Sequence, residues 1–292
     1  MLGFLQNREK TGKEKPAASG LVLDLSGPVL RRAFEHLAGA AEATGGVERY
    51  VGAIALKSSL FEEIMCKGKI HEMSLKDFSD LAAFMAPVRR RMGAELDEKN
   101  IGKIIHAIKL LMDGWSDVST TDKRMEAFIN QFPADKSHRW VRDLGAEILH
   151  YGAPEIYPLM SRWMWDKKIG TGVLREIWFN EPGAEPQEIS VKDDFATFDL
   201  MRRELIGFLS DNGVFKNLEF YCDLLCAHIY AGYINDMGGQ YLKSDFIESP
   251  DPMLHTRRML GLDAINTETG RTRLKLIDGN IHKLGGDALM LN

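Results

Sequence analysis

Only three cysteines, at positions 66, 222 and 226, occur in 292 residues. That is too few for a disulfide scaffold and points to a reducing compartment, so the chain reads as cytoplasmic. Ten prolines and 27 glycines exclude collagen-like and low-complexity chains. No apolar run reaches the ~20 residues that span a bilayer. The stretch Leu224 to Ile234, for example, is interrupted by His228 and Gly232. No secretory signal opens the chain, because the apolar patch Met1 to Leu5 precedes the basic residues Arg8, Lys10, Lys13 and Lys15. Residues 1–18 read as a disordered leader. Excess positive charge is missing as well: 37 Lys and Arg stand against 42 Asp and Glu, a net charge of −5. Without a basic stripe, nucleic acid is not an expected partner, and without an apolar span neither is integral membrane association.

The common catalytic signatures are absent too. Gly12-Lys13, Gly68-Lys69 and Gly102-Lys103 lack the upstream glycine and the following Ser or Thr of a phosphate-binding loop. Gly170-Thr171-Gly172 has no third glycine in register, so the dinucleotide fingerprint fails. There is no Gly-x-Ser-x-Gly elbow and no His-Glu-x-x-His zinc helix; His71-Glu72 is followed by Met-Ser-Leu. No cofactor and no metal are expected.

What is present is a folded, helical pattern. With 45% hydrophobic and 27% charged residues the chain is not disordered. At roughly 100–200 residues per domain it holds one large or two small domains. Helical spacing predicts a helix over 75–92, with Ser74 and Asp77 as a capping box and Pro87 as a kink or early end. Ser59 with Glu62 predicts another helix start. Ile101, Ile104, Ile105, Ile108, Leu111 and Met112 form an apolar stripe behind a candidate cap, Asn100. Further helices are predicted at 122–131, 138–151, 154–166, 172–178, 194–211, 217–235 and 253–260, with Gly238-Gly239 stopping the one at 217–235. In the tail, alternating residues flank Asp278-Gly279, a hairpin signal, and Leu21 to Leu25 is a candidate strand beside it. The expected fold is mainly α, a multi-helix globular domain with a small C-terminal β-hairpin appendage. Its parts would be helical regions at 19–180 and 188–262, packed as one domain, and a tail at 270–292.

Four constellations could carry chemistry. Asp143, Glu147 and His150 share one helix face, a carboxylate–imidazole set able to move a proton or to contribute to a metal site. The plainer reading is an exposed polar face. Cys222 and Cys226 are spaced to share a helix face, whereas His228 lies about 200° further round, so small core residues are the simpler assignment. All five tryptophans (115, 140, 163, 165 and 178) lie in one stretch, interleaved with Arg139, Arg142, Arg162 and Arg175. Tryptophan and arginine are typical interface anchors, so Arg162, Trp163, Trp165 and Trp178 are candidate interface residues, with an aromatic core as the alternative. Tyr221, Tyr230, Tyr233 and Tyr241 with Asn235-Asp236 and Gly238-Gly239 mark a flexible polar corner able to bind a ligand, with a simple helix stop as the plainer reading. The run Arg89-Arg90-Arg91, followed by Glu95, Asp97 and Glu98, reads as a solvated helix end.

These observations favour an accessory or adaptor protein that binds a protein partner through a Trp/Arg-rich surface. The alternative is an all-helical enzyme or metal-binding protein using Asp143, Glu147 and His150, helped by His106, His138 or His228. Oligomeric state is left open.

Overall fold

A computed structural model describes residues 21–65, 70, 72–92, 100–185, 187–241, 251–264, 271–275 and 281–283. The expected leader at 1–18 lies outside these residues. The chain is mainly α. Its helices are α1 (Gly27–Glu42), α2 (Val47–Met65), α3 (Leu75–Ala83), α4 (Ala86–Arg89), α5 (Ile101–Met112), α6 (Thr121–Ile129), α7 (Trp140–Gly152), α8 (Val173–Ile177), α9 (Phe195–Asp211), α10 (Leu218–Tyr241) and α11 (Leu254–Leu260). No helix among the described residues is long and apolar enough to cross a membrane.

The helix α7 lies at the centre. Every one of its residues except Arg142 is buried, as expected of a helix covered on all sides. It packs against α2, α4, α5 and α6. The long helix α10 packs against α1, α2, α8, α9 and α11. The buried apolar side chains form one contiguous cluster running from Leu30 to Ala264.

Local chemistry explains several boundaries. Ser74 and Asp77 form the reciprocal capping box that opens α3. Pro87 sits in the first turn of α4, where a missing N–H is harmless, so the 75–92 pattern is two helices rather than one. Asp194 caps α9 by accepting from the Thr197 N–H at 3.1 Å. Gly261 ends α11 in the left-handed region, at φ 74°.

Other expectations are corrected. Residues 154–166 are not a helix but a sequence of turns. Two of their carbonyls are held by a distant side chain instead: Arg202 donates to Pro154 O at 3.0 Å and to Ile156 O at 3.2 Å. Ser59 starts no helix; it lies inside α2 and its hydroxyl donates back to Leu56 O. Asn100 precedes α5 without a side-chain cap bond. Gly238-Gly239 does not stop α10, which continues to Tyr241. Leu25 bridges Trp178 rather than the C-terminal tail. The sequence reading also missed α1, although Pro28 at its start and Leu30, Leu37, Ala40 and Ala41 on its inner face are a helix signature. In the tail, β1 (Arg271–Lys275) pairs antiparallel with β2 (Ile281–Lys283). The Asp278-Gly279 turn lies outside the described residues.

Candidate functional site

The three polar residues of α7 share a face, as their spacing predicts, but that face is not exposed. Asp143, Glu147 and His150 are 2%, 3% and 1% accessible. Each engages a different partner. Asp143 accepts from the Arg162 backbone N–H at 3.0 Å and from its guanidinium at 3.2 and 2.6 Å. Glu147 meets the Lys57 ammonium at 2.9 Å. His150 contacts Asp223 at 2.7 Å through Nε2 and Tyr157 O at 2.8 Å through Nδ1. Because Nδ1 faces a carbonyl, it must carry a proton.

Burial dominates the electrostatics here. It pulls Lys57 below the ordinary ammonium range, against the attraction of Glu147. It pushes Glu147 above the ordinary carboxylate range, against the attraction of Lys57. Lys57 is also held by Leu260 O at 3.0 Å and lies over the Tyr151 ring, 3.8 Å from its centroid.

Of the three, Asp143 lines a concavity. That pocket, of about 310 Å³, is framed by four arginines: Arg90, Arg91, Arg162 and Arg258. Two carboxylates, Asp143 and Asp166, also face it. Asp143 is engaged by Arg162, and Asp166 accepts from the Ile169 N–H at 3.2 Å. Arg90 and Arg91 are exposed and make no ion pair among the described residues. Arg258 Nε is buried without a hydrogen-bond partner and lies 3.9 Å from Asp263. An aromatic wall completes the pocket: Trp163 packs on Tyr230 with ring centroids 5.9 Å apart.

Buried charges fix the walls. Arg89, the neighbour of Arg90, is not at a solvated helix end. It is 6% accessible, donates to Ala83 O at 2.9 Å and pairs with Asp263 just beyond α11. Lys57 holds the last carbonyl of α11, the helix that carries Arg258. The Arg162 guanidinium is held in place by Asp143, whose Oδ2 accepts from both its Nε and Nη2 while Oδ1 accepts from its backbone N–H.

The remaining candidates scatter. Trp163 contributes to the pocket at 7% accessibility, whereas Trp165 is wholly buried and donates to Val191 O at 3.3 Å. Trp178 is half-buried, away from the pocket. These positions do not make one surface. His106 is exposed, and His138 pairs with Asp135 at 2.8 Å. His228 contacts His36 at 2.7 Å and Thr256 at 3.0 Å. Cys222 and Cys226 are buried free thiols. Among the described residues no group of three or more His, Cys, Asp or Glu side chains could hold a metal. A second concavity, about 450 Å³, is lined by Asp122, Asp193, Asp194 and Arg142 among others. Its carboxylates serve the fold: Asp122 accepts from the Phe195 N–H, Asp193 pairs with Arg142, and Asp194 caps α9.

Lys57, Asp223 and Arg258 were missed from sequence, and Arg90 and Arg91 were read only as part of a solvated helix end. Two of them carried a signal. Lys57 interrupts the apolar stripe Tyr50, Ile54, Phe61, and Asp223 interrupts the apolar run Phe220 to Ala227. A lone charge inside an apolar stripe needs a buried partner.

The chain matches no protein-family model and shows significant similarity to no curated protein and no solved structure.

Proposed function

We propose that this chain works by binding, and that its ligand is an anion held in the arginine-lined pocket. The observation that carries this reading is the state of Arg90 and Arg91. They line the same concavity as the clamped Arg162, exposed and without a carboxylate of their own among the described residues. Guanidinium forks match phosphate and carboxylate oxygens pairwise, and such charge-assisted bonds are stronger than neutral ones. All the cationic side chains of the pocket are arginine, none lysine. Calorimetric titration with inorganic pyrophosphate tests the reading. Saturable binding that weakens with salt is expected, with at least about a tenfold loss in the Arg90→Ala/Arg91→Ala variant. Absence of binding at low salt, or equal binding by the variant, overturns it.

A second reading keeps the adaptor role. Its support is Phe179, 43% exposed beside the half-buried Trp178. Affinity purification from the native host should then yield a stoichiometric partner that Trp178→Ala/Phe179→Ala loses. Retention of the partner by that variant removes this face from the reading.

A further inference from the structure

The anion reading leaves open what the charged group is attached to, and the rest of the pocket lining bears on that. Besides the four arginines and the carboxylates of Asp143 and Asp166, the lining holds the rings of Trp163 and Tyr230 and the side chains of Ile169, Ile234 and Met259. The pocket therefore combines guanidinium groups with aromatic and aliphatic surface. The aromatic contacts continue beyond it, because Tyr233 packs 5.6 Å from Tyr230.

A simple inorganic anion would use only the arginines. A long flexible chain would gain little from a rigid aromatic wall, whereas a planar ring gains stacking area over Tyr230 at small entropic cost. Volume sets a further limit. At about 310 Å³ the pocket lies at the lower end of the usual range for small-molecule sites, roughly 300–1,000 Å³, which favours a compact molecule over a peptide segment.

Resting on the proposed anion site, we infer that the ligand class is a small phosphomonoester whose organic part is a flat ring, as in a nucleoside monophosphate or an aryl phosphate. The phosphate would lie against Arg90 and Arg91, and the ring against Tyr230 and Trp163. No bond is made or broken; this is recognition.

Calorimetric titration of the full chain tests this with adenosine monophosphate, uridine monophosphate and phenyl phosphate. Each is compared with a phosphate that lacks a planar ring (here termed ring-free), ribose 5-phosphate or inorganic phosphate, and adenosine alone serves as the uncharged control. At least one ring phosphate should bind tenfold or more tighter than its ring-free counterpart and than adenosine. Tyr230→Leu should reduce that ratio at least threefold. Far-UV circular dichroism checks that the variant is folded. If ring and ring-free phosphates bind equally, the ring inference falls and the anion site stands. If nothing binds, pyrophosphate included, both fall. Tight binding of adenosine itself also overturns the inference, because the arginines would then have no part in it.

Discussion

Lys57 Nζ stands 2.9 Å from Glu147 Oε2, with the two side chains only 1% and 4% accessible. The pair joins α2 to α7, and the same ammonium holds Leu260 O at the end of α11. Removing water from two charges is costly, and each tolerates burial only because the other is there. Glu147→Ala should therefore cost about 3–5 kcal/mol in chemical denaturation, as should Lys57→Ala. The double replacement Lys57→Met/Glu147→Leu, which leaves no orphaned charge, should cost markedly less than the two single changes added. Additive losses would mean that the pair is not coupled.

Acid should weaken the fold through His228. Burial and the neighbouring His36 push its imidazole down to about 4 from an ordinary 6.5. Between these values the unfolded chain binds a proton that the folded chain refuses. Stability from this group is therefore complete above 6.5 and is lost as the pH falls towards 4. The loss is on the order of 3 kcal/mol at the acid end, at 1.36 kcal/mol per pH unit. Unfolding free energies of the parent chain and of His228→Gln, measured across this range, should converge as the pH falls. Parallel curves would remove His228 as the cause.

How much of this was legible in the sequence depended on range. The Ser74–Asp77 box and the stripe from Ile101 to Met112 are local signals, and the helices they mark are present. The segment 154–166 misled because its apolar spacing imitates a helix, while two of its carbonyls are held by Arg202 from α9. The shared face of Asp143, Glu147 and His150 could be read from their spacing. Its burial could not, because Arg162, Lys57 and Asp223 are the partners that make it tolerable, and Lys57 and Asp223 lie 90 and 73 residues from theirs. Likewise, the pocket draws Arg90, Arg162 and Arg258 from separate segments, so no contiguous motif announces it.

Gly261 is the next point of failure. It holds a left-handed conformation, and a Cβ there would lie 1.8 Å from Phe84 O, which is backbone and cannot yield cheaply. Gly261→Ala should destabilise the fold by about 3 kcal/mol or more, combining φ strain with a steric clash. Because α11 carries Arg258, the same change should also lower pyrophosphate affinity in whatever fraction remains folded. A thermal unfolding midpoint equal to that of the parent would contradict this close approach.

Cys222 and Cys226 should be inert while the chain is folded. The thiolate is the reactive form, and burial raises both thiols well above their ordinary range, with Asp223 adding to the effect. Alkylation by iodoacetamide, followed by peptide mass spectrometry, should leave both cysteines unmodified in native protein and modify both in denaturant. Labelling in the native state can then proceed only through opening of α10, so its rate reports that opening. Glu147→Ala acts on that rate from α7, since α7 meets α10 through the His150–Asp223 pair. It should accelerate labelling of Cys226 by at least about tenfold, the equivalent of 1.4 kcal/mol in the opening equilibrium. Rapid labelling of either cysteine in the unaltered native chain would show that α10 is not packed as a buried core helix.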